Sequence, residues 1–385
     1  MKTKMKKFVC LALAVMMVFC FAACGNDGEE SNSSAIKLGA IGPLTGTAAI
    51  YGKAVNNGAQ LAVDEINALG GLQFELNFQD DENDAEKGVN AYTNLKDWGL
   101  QVLLGTVTTT PCIAVSGETY ADRIFELTPS ASSADVTKGK DNVFQMCFTD
   151  PNQGKTAAEY IANNHVSSKI AVIYNNADAY STGIYTAFAS ELKAEGIDVV
   201  YAGTFSSDDN SDFSVQLTGA KSAGADLVFL PIYYTPASMI LAQAHSMDYA
   251  PTFFGVDGMD GILTLKGFDT SLAEGLMLMT PFNPWSTNEK VAAFVKSFND
   301  AYGEDPNQFA ADAYDCVYAI YDACEKAGIT ADSSTEEICD ALVGVFTGDF
   351  TFDGLTGSGM SWSTNGEVSK DPVVCVIKDG IYVDM

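Results

Sequence analysis

Histidine is nearly missing from this 385-residue chain: only His165 and His245 occur, far apart. That argues against a His-rich zinc centre, and a Ser-His-Asp triad would have to take its base from one of the two. Positive charge is also scarce. Lys plus Arg number 21 against 50 Asp plus Glu, a net charge of −29. A chain this acidic is repelled by phosphate backbones, which excludes nucleic acid as a partner class. No C-x-x-C pair occurs, so metal binding and thioredoxin-like redox chemistry lack local support. No G-x-S-x-G elbow occurs either. Gly46, Gly52 and Lys53 imitate a phosphate loop with one residue too many between the glycines and Ala54 in place of Ser or Thr. Gly255, Gly258 and Gly261 recur every third residue, which is not a dinucleotide spacing. Nothing here hydrolyses ATP, holds a metal or calls for a cofactor, and no nucleophile–base constellation points to an enzyme.

Long apolar runs are confined to the start. Residues 8–21 form one of 14 residues behind Lys2, Lys4, Lys6 and Lys7. That is short of the roughly 20 that a spanning helix needs. A basic start, a short apolar run and small residues describe a secretory signal over 1–23. Phe21-Ala22-Ala23-Cys24 resembles the lipobox of bacterial lipoproteins, with Phe21 where Leu is usual. The resemblance makes Cys24 the lipidated residue, and 24–34 reads as a polar, flexible tether. Simple secretion with no lipid is the alternative. Four lysines and no acid leave with the signal, taking the net charge from −29 to −33. The expected location is the outer face of the cytoplasmic membrane. Six cysteines remain beyond Cys24, mostly in apolar surroundings where they pack as small core residues, and no pairing can be read from their spacing.

What is plentiful is apolar surface: 47 % of residues are hydrophobic, enough for a real core. The pattern alternates strand and helix. Strands are expected over 36–41, 74–78, 101–104, 170–174, 199–205, 227–230, 252–255 and 276–280. Helices are expected over 51–69, 84–98, 180–195, 212–223 and 236–246. Repeated β-α-β order implies an α/β chain of parallel sheets covered by helices on both faces, here in two doubly wound lobes. Beyond Pro281, helices over 288–302 and 308–327 precede short strands near 349–353, 373–377 and 380–383. In open parallel sheets ligands sit beyond the carboxyl ends of strands. The loops there are GPLTGTAAIY (42–51), GTVTTTP (105–111), TPSASS (128–133) and GVDGMD (255–260), with 178–180 and 232–234 from the second block.

Those loops, taken in order, carry a resemblance. The opening IGPLTGTAAIYGKAVNNGAQLAVDEINALGGL and the GTVTTTP, TPSASS and GVDG segments are similar to the leucine/isoleucine/valine-binding proteins of ABC importers over about residues 35–380. The resemblance implies a type I periplasmic binding protein fold, two lobes joined by three crossovers near 148–151, 280–284 and 350–354. It divides the chain into lobe I (35–149 plus 282–350) and lobe II (150–281 plus 351–385). It also implies capture of a small, apolar amino acid for a membrane permease with separate ATPase subunits.

A free amino acid shows a carboxylate, which needs N–H and O–H donors, and an ammonium, which needs an acid and acceptor oxygens. By resemblance, Thr109 and Ser132 serve the carboxylate, Ser130 offers a carbonyl to the ammonium, and Asp257 is its counter-ion, where the family often has Glu. Tyr180 and Tyr233 close the cleft, and Tyr51, Val107, Thr108 and Phe309 shape the side-chain pocket. Plainer roles exist. Thr109 and Ser132 suit helix caps, Asp257 suits a turn beside Gly258, and Tyr51 suits a staple at a helix start. Tyr180 and Tyr233 suit interdomain packing, and Phe309 suits the core. A ligand sensor with the same lobes, or a binder of a small amide or urea, remains the alternative function.

Overall fold

Eight residues, Ala35–Gly42, buried along most of their length, form strand β1, next to the edge of a five-stranded sheet. The computed structural model describes residues 35–206 and 211–385; the signal, Cys24 and the tether lie outside them. The sheet runs β2-β1-β3-β4-β5, with β2 (Gln73–Asp80), β3 (Val102–Gly105), β4 (Phe125–Thr128) and β5 (Val143–Gln145), every pair parallel. Helices α1 (Ala49–Ala68), α2 (Ala85–Trp98), α3 (Thr109–Asp122) and α4 (Ala134–Thr137) connect them. Gly99 ends α2 in the left-handed conformation, at φ 97°, a cap that glycine adopts without a Cβ penalty.

After Gln145 the chain enters α5 (Asp150–Asn163) and a second sheet, ordered β12-β11-β10-β9-β8-β6-β7. Its strands are β6 (Ile170–Asn175), β7 (Val199–Phe205), β8 (Leu227–Leu230), β9 (Thr252–Gly255), β10 (Met277–Thr280), β11 (Val373–Lys378) and β12 (Ile381–Asp384). Helices α6 (Ala179–Ala194), α7 (Ser214–Ser222) and α8 (Tyr234–Ser246) alternate with the first of them. Strands β6 to β10 are parallel; β11 turns back antiparallel against β10 and pairs with β12. The two-lobed α/β architecture read from the sequence is therefore the fold.

Between β10 and β11 the chain returns to the first sheet as α9 (Glu289–Tyr302), α10 (Gln308–Ala327) and α11 (Thr335–Phe346). Helices α1 and α10 approach so closely that a Cβ on Gly58 would lie 2.1 Å from the Ala310 carbonyl, so only glycine fits there. Phe346 of α11 meets Phe125 and Phe144 at ring distances of 5.0 and 5.3 Å, sealing the sheet's face. Among the described residues all six cysteines are buried and free.

One expectation needs correction. The strand near 349–353 is a single bridge, Phe352 to Met360, stitched by a second between Trp362 and Val368. The segment that follows packs on the first sheet. Trp362 stacks on Phe350 and donates from Nε1 to the Gln145 carbonyl at 2.8 Å, and Gln145 N–H donates to the Gly366 carbonyl. Residues 352–370 thus belong with the first sheet, and the chain crosses between Lys370 and β11. A buried ion pair marks the spot: Lys370 Nζ lies 2.7 Å from Asp312 Oδ1 and 2.6 Å from Thr356 Oγ1.

Candidate functional site

Six strands, β1, β3, β4, β6, β8 and β9, end at the interlobe cleft, and the segment after each supplies part of its lining. On the first sheet, β3 runs into α3 with Thr108 extended at the N-cap position and Thr109 as the first helical residue. No side chain caps this helix start, and Thr108 Oγ1 is buried with no hydrogen-bond partner. The orphan N–H groups of a helix's first turn are suited to an anion. The next loop braces the first: Thr128 Oγ1 donates to the Thr106 carbonyl at 2.6 Å and accepts from Ala131 N at 3.0 Å. Ser130 Oγ donates to the Val107 carbonyl at 2.6 Å. Ser133, not Ser132, caps α4. Neither Thr109 nor Ser132 is a cap, so that plainer role fails for both.

The second sheet contributes an acid. Asp257, in a short 3-10 turn after β9, is buried, and its Oδ1 accepts from Tyr180 O–H at 2.6 Å and from Gly258 N–H at 2.8 Å. Its backbone is held too: Asp257 N–H donates to Gln153 Oε1 at 3.2 Å, and Gln308 Nε2 donates to the Asp257 carbonyl at 2.7 Å. No hydrogen bond reaches Oδ2 from the described residues. Burial raises the carboxyl to about 6, with Tyr180, Gln153 and the Gly258 N–H opposing the rise. The Tyr180 ring stacks on Tyr233 at 4.9 Å. A Cβ on Gly258 would lie 2.7 Å from Tyr180 Oη and 3.0 Å from the Ile232 carbonyl. Only glycine lets the tyrosine reach the acid.

Tyr51 of α1 closes the remaining side. Its hydroxyl donates to the Gly258 carbonyl at 2.5 Å and accepts from Tyr234 N–H at 3.2 Å, joining the two lobes. Its ring lies 4.2 Å from Phe309 and 5.6 Å from Tyr233. Further bridges cross the rim: Thr235 Oγ1 to the Thr47 carbonyl at 2.7 Å, and Thr110 Oγ1 to Asp178 Oδ1 at 3.4 Å. Of the ten residues singled out in the sequence, all but Ser132 line one cavity with Gly258. Space for a water's centre there is only about 10 Å³, about what one water needs. Hydrogen bonds cross the rim, and the walls leave little room between them.

Ser132 lies one layer back, fully buried, beside Asp150 of α5, whose N–H donates to the Ser132 carbonyl at 2.8 Å. Neither the Ser132 hydroxyl nor the Asp150 carboxyl forms a hydrogen bond of good geometry. A first-turn position favours a carboxylate by about 0.3–1 kcal/mol, and by about 2 at most. Burying an unpaired carboxylate costs several kcal/mol. Burial wins, and Asp257 and Asp178 add repulsion, so the Asp150 carboxyl is pushed well up. Sequence reading missed Asp150, Gln153 and Gln308. Each acts through a buried side chain from a helix start that no loop motif marks. A Gln next to Phe309 was the one available signal.

Known proteins share this fold. A family model described as periplasmic binding protein matches residues 35–380. The chain is 32 % identical over 312 residues to the Leu/Ile/Val-binding protein BraC3 of Rhizobium johnstonii, covering 80 % of this chain and 83 % of the relative. Among solved structures, the branched-chain amino acid transporter substrate-binding protein LivJ of Streptococcus pneumoniae, in complex with isoleucine, is 29 % identical. Its TM-score is 0.81, over 91 % of this chain and all of the other. The leucine-binding protein LivK of Thermotoga maritima superposes with a TM-score of 0.82 at 27 % identity, over 91 % of this chain and 98 % of the other.

Proposed function

This chain belongs to the periplasmic binding protein family, and from that premise we propose that it captures a small, apolar amino acid and hands it to a membrane permease powered by separate ATPase chains. The observation that carries the reading is Asp257. It is a buried carboxyl at a cavity wall, with Oδ1 held by Tyr180 O–H and Gly258 N–H. A carboxylate so placed is matched by an ammonium. Opposite it, the α3 start with Thr108 and Thr109 offers N–H and O–H donors to a carboxylate. Tyr51, Val107, Tyr180, Tyr233 and Phe309 give the side-chain space an apolar and aromatic lining. The chain binds and releases its ligand.

The family places the protein outside the cytoplasm, and no described helix is long and apolar enough to cross a membrane. Lipidation at Cys24 is the proposed means of attachment. Cys24→Ala should move the protein from the membrane fraction to the soluble one, or stall its processing; membrane retention with no lost lipid label counts against the anchor. The proposed lobes are 35–149 with 282–370, and 150–281 with 371–385.

With only about 10 Å³ between the walls, entry requires the lobes to part, so the protein alternates between open and shut forms. Solution scattering should show a smaller radius of gyration with saturating leucine than without. At about 100 times its dissociation constant, leucine should add about 2.7 kcal/mol of stability. A screen of amino acids and small amides in which no amino acid stabilises the protein would refute the reading.

A further inference from the structure

Three acceptors on one short turn are met from across the cleft. The turn 257–260 follows β9 of the second sheet, and Tyr180 and Tyr382 hold its two acids from that side. On the other side stands Gln308, the first residue of α10, the helix packed on α1. Gln308 Nε2 donates to the Asp257 carbonyl at 2.7 Å, and the Gln308 backbone N–H donates to Asp260 Oδ2 at 2.7 Å. Tyr51 O–H donates to the Gly258 carbonyl at 2.5 Å. The end of the turn comes too near α1 for a side chain, since a Cβ on Gly261 would lie 2.7 Å from Ile50 Cγ2. Gln308 and Asp260 are each about 2 % exposed, yet neither lines the cavity. We propose that Gln308 and Asp260 are positioning residues that form a latch between the proposed lobes: they meet as the cleft shuts, hold the turn that carries Asp257 against the first lobe, and so set how long the ligand is retained.

Asp260 faces both ways. Its Oδ1 accepts from Tyr382 O–H of β12 at 2.6 Å, within the second lobe, and its Oδ2 is left for the first. Asn307, the N-cap of α10, directs its Oδ1 to Ala310 N–H at 3.2 Å, which leaves the Gln308 N–H to Asp260. A carboxylate at a helix start is favoured by the orphan N–H groups and the helix dipole. The latch lies outside the ligand's space, so it acts alike on every amino acid that lets the cleft shut. With the lobes apart, the turn and the start of α10 are each hydrated, and the ligand enters without meeting the latch. Losing the latch therefore speeds opening and release and leaves the rate of entry alone. A hydrogen bond to a charged group, made in the shut form only, shifts that balance by about 10- to 100-fold.

This inference rests on the amino-acid capture proposed above. The test is release of isotopically labelled L-leucine and L-valine from the full chain into excess unlabelled ligand, with dissociation constants measured in parallel to give the association rates. Gln308→Ala should release both ligands about tenfold faster than the parent, and Asp260→Ala about 10- to 100-fold faster. Each factor should be the same for leucine and valine, with association within about threefold of the parent's. Asp260→Asn is the rescue: its Oδ1 accepts from Gln308 N–H while its Nδ2 donates to Tyr382 Oη, so release should stay within about threefold of the parent's. The ligand-free variants should unfold in urea at the parent's midpoint, because the latch forms only on closing. If Asp260→Ala does not fold, Gln308→Ala, which removes one amide and keeps the backbone N–H, decides the matter. Release at the parent's rate overturns the proposal. So does a lowered ligand-free midpoint with release unchanged, the mark of a permanent staple. Unequal factors for leucine and valine overturn it too, since they put Gln308 in the pocket. A parent that retains no labelled amino acid defeats the amino-acid reading, and the latch with it.

Discussion

Asp257→Ala should weaken capture of the amino acid by about 30- to 5,000-fold, because it strips a buried ammonium of its only anionic partner, a loss that typically costs about 2–5 kcal/mol. Asp257→Asn is the sharper variant. It keeps the shape, can still accept from Tyr180 and Gly258, and loses only the charge. It should fold like the parent and bind far more weakly. Thr109→Ala should cost less than either, since the backbone N–H at the start of α3 survives. The rival role for Asp257 is that of a turn former: Asp260 N–H donates to its carbonyl at 2.9 Å. A pure turn former gives the reverse pattern, with stability lowered and affinity kept. Calorimetric titration of the three variants, beside their denaturation midpoints, separates the cases. If Asp257→Asn binds as tightly as the parent, the ion-pair role is wrong and a neutral amide becomes the better ligand.

Lys370→Met should cost about 3–5 kcal/mol of stability at neutral pH, the usual result of removing one partner from a buried ion pair. Two acids share this lysine. Asp312 pairs with it directly; Asp315 accepts from Leu355 and Thr356 N–H at 2.8–2.9 Å and from Thr356 Oγ1 at 2.7 Å. Burial already raises Asp312 to about 6, with Lys370 pulling against it. Without the lysine both carboxyls rise further. An acid raised in the folded state contributes stability below its unfolded pKa of about 3.8 and loses it as pH climbs through the folded value. The variant should therefore regain part of its deficit between pH 7 and about 5, seen in urea denaturation at the two pH values. A deficit under about 1 kcal/mol, or one that grows on acidification, would show that the cluster does not depend on the lysine.

The expected strands through β1 to β3 and β6 to β10, and the helices between them, matched because each carries its own signal: a short apolar run, a helical period, a glycine stop. The elements missed, β4, β5, α3, α4, α5 and α11, do not all lack a local signal. Strand β5 is three residues long, too short to alternate. Helix α11 did announce itself through Ser334 and Glu337, which form a capping box with Glu337 Oε2 accepting from Ser334 N–H at 2.8 Å. Residues 352–370 are held by long-range contacts that no local pattern shows: Trp362 on Phe346 and Phe350, Gly366 on Gln145, and Lys370 on Asp312. The cavity residues were legible because they occupy strand ends in a recognisable order. Asp150, Gln153 and Gln308 were not, because their importance lies in which backbone group or hydroxyl they face across the cleft.

The cavity is divided by lobe according to charge. Donors suited to an anion, Thr108 and Thr109, come from the first sheet, and the acid suited to a cation, Asp257, comes from the second. Under the reading proposed here the site then works as a coincidence detector. A simple acid meets only one wall and a simple amine only the other, and neither has reason to draw the walls together. A molecule that bears both charges on one carbon answers both lobes at once, so the motion that traps the ligand is also the step that checks its identity.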